Sequence, residues 1–262
     1  MSFLQHLEEL RKHLFRAVLW MVAGVFVVVY FHDFVVNDVI MGPRKPDFVT
    51  YRAFCEWGRA IGLGDNLCLA PPQMTLQSTT MAGNMNADIM VCLVGGLIVA
   101  FPFVFWQIWQ FIKPGLHTKE QKKVTGIVFY VSLLFFSGIA FGYFLLAPLS
   151  IQFLGNYTFA DVKAEPTLLS YLKLTTSLVF GTGLLFQLPV LIYFTTKLGL
   201  TTSAFLKKYR KHAFVVNLIL AAILTPPDVT SQIVVAMPLL LLYEISIFIA
   251  GRVEKKSAAS VK

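Results

Sequence analysis

Charge is what this chain has least of. Asp, Glu, Lys and Arg make up 14% of its 262 residues, against about 25% in a soluble domain. With 56% hydrophobic residues and a mean hydropathy of +0.69, this excludes an ordinary soluble domain and leaves a membrane protein. Catalytic apparatus is also missing. There is no GxxxxGK[ST] loop to cradle a nucleotide, no HExxH and no GxSxG. His6, His13, His32, His117 and His212 are scattered without a metal-ligand pattern. Glu244 is the one carboxylate at depth in an apolar run, and intramembrane proteolysis needs a pair or a nucleophile with a base. The reading is a non-enzyme with no cofactor and no metal. Cysteine is scarce as well. Cys92 lies in an apolar run, whereas Cys55 and Cys68 share a polar loop and are candidates for a disulfide if that loop is exported to an oxidising compartment. No cleavage site follows Arg11, Lys12 and Arg16, so the first apolar run reads as a retained span. The halves share no repeat.

What is present is a series of long apolar runs separated by basic clusters. The net charge of +8 sits in those clusters, which makes it a topology signal and not a nucleic-acid surface. Residues 1–13 read as an amphipathic cytoplasmic helix lying at the interface and running into the first span. A transmembrane domain over 14–250 follows, then a basic cytoplasmic tail over 251–262. The spans are read at 14–31, 89–112 (starting a turn earlier), 124–148, 174–196, 213–224 and 229–250. Between the first two lies an extended external loop, 32–83, whose middle reads as a short amphipathic helix. A second polar loop covers 149–172. Gly138 and Gly142 have the spacing for close helix approach.

The fifth span needs an argument. Its twelve or so apolar residues make about 18 Å of helix against a hydrocarbon core of ~30 Å. Yet basic clusters flank the final pair, at Lys207–Lys211 before it and Arg252–Lys256 after it. If both stay inside, the chain crosses an even number of times between them. The fold class is thus an all-α polytopic membrane protein with six transmembrane helices, both termini cytoplasmic and helices five and six short. This puts 16 of the 22 Lys and Arg in the cytoplasm, leaving outside only Arg44, Lys45, Arg52, Arg59, Lys163 and Lys173. The positive-inside pattern follows.

Several residues admit two readings. Glu9 and Glu8 can pair locally with His13 and Lys12 at i,i+4. Glu120 can sit in the first turn of the third helix, behind a Thr118 cap, where the macrodipole favours an anion. Alternatively, Glu9 and Glu120 are rare carboxylates on a basic face, where a bidentate guanidinium ligand binds best. Gln187 precedes Pro189, which frees the carbonyl of Leu185 and should kink the helix. Its amide either satisfies that carbonyl or a neighbouring helix, or faces a cavity as a polar contact. Asn217 reads as a polar tie between helices, and Trp106, Trp109 and Phe111 as an interfacial aromatic belt.

The pieces HLEELRKHL (6–14), IWQFIKPGLHTKE (108–120), FGTGLLFQLPV (180–190) and LTPPD (224–228) together make the chain resemble the TatC family of twin-arginine translocase components. The resemblance runs nearly the whole length, with residues 37–83 matching poorly. It implies a receptor for the twin-arginine signal peptides of folded cargo, in the bacterial inner membrane and driven by the proton-motive force. It also implies a hetero-oligomer of several copies with the small single-span subunits TatA and TatB, among membrane lipids. Carried over by motif, Glu9 and Glu120 contact the paired arginines, Phe111 and Pro114 shape the site, Arg11 supports it, and Asp228 sits on the outer turn. The family's FELP pattern has Glu where this chain has Gln187, so only a hydrogen-bonding role carries over there. The competing readings are a small-solute secondary transporter, which predicts repeats and buried ionisable residues at the midplane, and a structural scaffold.

Overall fold

The computed structural model describes residues 3–62, 64–68, 71, 74–112, 124–158, 165–225 and 229–261. Among these residues the chain is helical, with no strand and one isolated bridge, Gln77 to Thr167. The helices are α1 (Phe3–Tyr30), α2 (His32–Phe34), α3 (Val49–Ala60), α4 (Gly83–Ile112), α5 (Val124–Phe141), α6 (Ala147–Asn156), α7 (Leu168–Leu185), α8 (Leu188–Lys197), α9 (Ser203–Lys208), α10 (Arg210–Leu224) and α11 (Val229–Val261). Among the described residues, five segments are long and apolar enough to cross a membrane: Leu7–Tyr30, Gly83–Phe111, Gly126–Asn156, Leu168–Lys197 and Ser231–Lys255. The chain forms two compact units.

The first unit takes Met1–Gly42, Leu76–Leu134 and Thr167–Thr176. Its core is the antiparallel pair α1 and α4. No Gly or Pro interrupts residues 3–20, so the amphipathic segment and the first span are one rod. Gly24 and Gly96 set the helix separation: a Cβ on Gly24 would lie 2.3 Å from the Gly96 carbonyl oxygen, so only glycine permits the approach. Trp20 stacks on Phe103 with centroids 4.4 Å apart. Elsewhere in this unit Leu168 N donates to Gln77 O at 2.9 Å and Tyr171 Oη to Ile40 O at 2.8 Å, tying the loop ends together.

The second unit takes Pro43–Thr75, Phe135–Pro166 and Ser177–Lys262. The chain's third span does not stop at Pro148 as expected: within this unit it continues through a π turn, Gly142–Leu146, into α6. Proline is tolerated in the first turn of a helix. The carbonyl its missing N–H leaves open, that of Phe144, accepts from the Thr50 hydroxyl of α3 instead. Phe48 packs against Tyr143 and Phe144, and Tyr51 Oη donates to Pro43 O at 2.8 Å. The loop that sequence pattern left mostly blank is therefore a cap, built on α3 and closed by a Cys55–Cys68 disulfide. Gly138 and Gly142 make close approaches: a Cβ on either would lie 2.9 Å from backbone, at Gly183 and Val179 respectively.

Helix six is not short, a correction to the expected hairpin. α11 has 33 residues, because Glu254, Lys255, Lys256 and the alanines after them are good helix formers that carry the helix past the end of its apolar run. Only α10, with 15 residues or about 22 Å, is short.

Candidate functional site

The register of α1 on α4 organises the described part of the site. His13 Nδ1 lies 3.0 Å from Gln107 Oε1, Gly24 meets Gly96, and His32 Nε2 lies 3.4 Å from Asp88 Oδ1. Each step forward on one helix is a step back on the other. Glu9, one turn before His13, therefore comes level with Phe111, one turn after Gln107. Both are half-buried. His13 is engaged with Gln107 and not with Glu9, so the local pairing expected at i,i+4 does not form. Among the described residues neither Glu8 nor Glu9 has an ion-pair partner.

Arg11 is exposed and lies about 200° around the helix from Glu9 at ~100° per residue. It is not brought to the same face. Glu120, Pro114 and Asp228 lie outside the described residues. Trp109 is 1% exposed, a buried core residue and not part of an interfacial belt. Sequence reading missed Gln107, a buried amide one turn before Phe111. Its helical spacing from Phe111 was the available signal.

Gln187 occupies the break between α7 and α8. Its backbone, at φ −81° and ψ −4°, caps α8, and its carbonyl accepts from Val190 and Leu191 at 3.0 Å. Pro189 sits in the first turn of α8, so the expected kink is a full interruption. Asn217 is 4% exposed, but its Nδ2 has no partner among the described residues. Near it, a polar tie between α10 and α11 runs instead from Gln232 Nε2 to Leu218 O at 3.3 Å.

At the basic end of the second unit, Gly199 at φ +75° ends α8 and Thr202 caps α9 by accepting from Phe205 N. Glu254 of α11 then receives Ser203 N at 2.8 Å and Ser203 Oγ at 2.6 Å. The deep carboxylate Glu244 pairs with Arg210 at 2.6 Å. Arg59 pairs with Asp65 beside the disulfide at 2.9 Å.

The family model for Sec-independent protein translocase protein (TatC) matches residues 5–238. The TatC protein of Blattabacterium sp. subsp. Periplaneta americana is 39% identical over 261 residues, covering 98% of this chain and 97% of that protein. The Helicobacter pylori protein is 42% identical over 178 residues, 68% of this chain and 71% of its own length. TatCy of Bacillus subtilis is 32% identical over 262 residues, 99% of this chain and 92% of its own. A crystal structure described as the twin arginine translocase receptor TatC in DDM superposes with a TM-score of 0.72 at 28% identity, covering 94% of this chain and 99% of that one.

Proposed function

We infer the working role of this chain from one premise: it belongs to the TatC family of Sec-independent protein translocases. It is a multi-pass protein of the bacterial inner membrane that serves protein transport and is not an enzyme. The solute-transporter reading falls with that membership.

Within that role it acts as the receptor for twin-arginine signal peptides of folded cargo. It works with TatA and TatB in a hetero-oligomer that draws on the proton-motive force. Glu9 and Glu120 accept the two guanidinium groups, Phe111 and Pro114 shape the pocket around them, and Arg11, on the far side of α1 from Glu9, supports the site without lining it. The carrying observation is the register of α1 on α4. It sets a half-buried carboxylate with no ion-pair partner among the described residues, Glu9, level with Phe111, one residue short of the end of the helix that leads to Pro114 and Glu120. An arginine fork gains two charge-assisted hydrogen bonds from such a carboxylate.

The topology proposed has six crossings, α10 being the short fifth, with residues 1–13 and 251–262 on the cytoplasmic side. The basic clusters support it. Gln187 serves as an uncharged polar contact at the helix break, and Asp228 stands on the outer turn. The test is site-specific photocrosslinking from positions 9 and 111 to a twin-arginine signal peptide in membranes. Adducts at both positions are expected. Their absence at both, with adducts elsewhere on the protein, would remove the site.

A further inference from the structure

The ends of α10 and α11 carry a feature unrelated to the carboxylate site. α10 starts at Arg210, and its 15 residues reach only about 22 Å from its far end. Its ion-pair partner Glu244 marks the same level on α11. From there α11 stays uncharged and, apart from the buried Ser246, apolar through Ile245–Ala250, roughly 9 Å more, before its own first cation, Arg252. Arg210 and Lys211 are thus held at a depth where the neighbouring helix is still apolar.

Directly beside them is a cleft of about 600 Å³, walled by Phe214 and Val215 of α10 and Leu240 and Tyr243 of α11. The back wall is fixed: Tyr243 Oη donates to Leu206 O at 2.9 Å, and Tyr243 packs on the Leu206, Ile247 and Ala250 core. The rim is unbalanced. Glu244 takes one N–H of Arg210, while Lys211, and Lys207 and Lys208 just before it, have no ion-pair partner among the described residues.

We propose that this cleft is a binding site for an anionic phospholipid, the phosphate held by Lys211 and the remaining N–H donors of Arg210, one acyl chain lying along Phe214, Val215 and Leu240. The two-part chemistry selects the occupant. A soluble anion would leave the apolar walls uncovered, a basic peptide would be repelled by the rim, and an apolar partner helix would bury Lys211 without a counter-charge. Basic pockets at helix ends recognise lipid phosphates in this way.

The test is native mass spectrometry of the full chain in detergent, titrated with dioleoylphosphatidylglycerol or dioleoylphosphatidylcholine. Wild type should retain the phosphatidylglycerol preferentially. Lys211→Gln should cut that preference about fivefold, the worth of one basic residue near a headgroup. Lys211→Arg should keep it, Val215→Trp should lower retention of both lipids, and Lys12→Gln on α1 should change nothing. Equal retention of the two lipids by wild type overturns the proposal. So does an equal loss in Lys12→Gln, which would mean a diffuse basic surface, or a second copy of the chain seated on this face and released by Val215→Trp. Should Val215→Trp fail to fold, the exposed rim variant Lys211→Gln decides alone.

Discussion

His13 Nδ1 lies 3.0 Å from Gln107 Oε1, one turn inside the level that Glu9 and Phe111 share on α1 and α4. It is the last described polar tie before the proposed site. Replacing either partner leaves the other without its bond, a loss of about 1 kcal/mol. We therefore expect His13→Ala and Gln107→Leu each to weaken binding of a twin-arginine peptide several-fold by loosening Glu9, with membrane insertion retained. Peptide titration against purified protein measures this.

The glycine crossing gives a sharper stability prediction. Gly24→Ala puts a Cβ against the Gly96 carbonyl, and Gly96→Ala puts one 2.7 Å from the backbone nitrogen of Val25. Overpacking of this kind costs ~1–3 kcal/mol, and both variants should melt lower. Gly126 of α5 has nothing within 4 Å of a Cβ, so Gly126→Ala should be neutral or stabilising by up to about 1 kcal/mol. Thermal melts in one detergent compare the three.

The α3 cap should be alkali-sensitive. Burial pushes the Tyr51 hydroxyl from 10.0 up to about 12. The folded cap keeps the proton while an opened cap releases it. This contribution is whole below pH 10 and is lost as pH rises from 10 towards about 12. Tyr51→Phe should lack that slope, while losing about 1 kcal/mol at neutral pH with the bond to the Pro43 carbonyl. Hydrogen exchange of residues 49–60 across this range reads both.

Cys55 and Cys68 are joined with a sequence separation of 13, and closing a loop of that size stabilises by about 3 kcal/mol. Denatured, unreduced protein should take one alkyl group, at Cys92, and three after reduction. Reduction should open the cap to protease without weakening signal-peptide binding. Three alkyl groups before reduction would contradict the pairing.

Spans with long apolar runs were legible because hydropathy and span length leave few alternatives, and Pro189 announced its own helix break. The α3 cap was not legible. Thr50 is recognisable only once Pro148 has freed the Phe144 carbonyl, nearly a hundred residues away. α11 runs past the span read at 229–250 because hydropathy marks where an apolar stretch ends and not where a helix ends: Glu254 and Lys255 are good helix formers. Glu9 was identified by its motif, but Gln107, which ties the adjacent turn of α1 to α4, carries no local signal beyond its spacing from Phe111. The aromatic belt failed at Trp109, which is 1% exposed, because an aromatic ring near the end of a span suits a packed core as well as an interface.

The central claim is that paired arginines are held by sparse carboxylates. It is tested most directly by the affinity of purified protein for a twin-arginine signal peptide and for the same peptide with both arginines changed to lysine. The wild type should favour the arginine form, and Glu9→Gln with Glu120→Gln should erase that difference while leaving the fold intact. Equal affinity for the two peptides in the wild type, or an undiminished preference in the double variant, would contradict it.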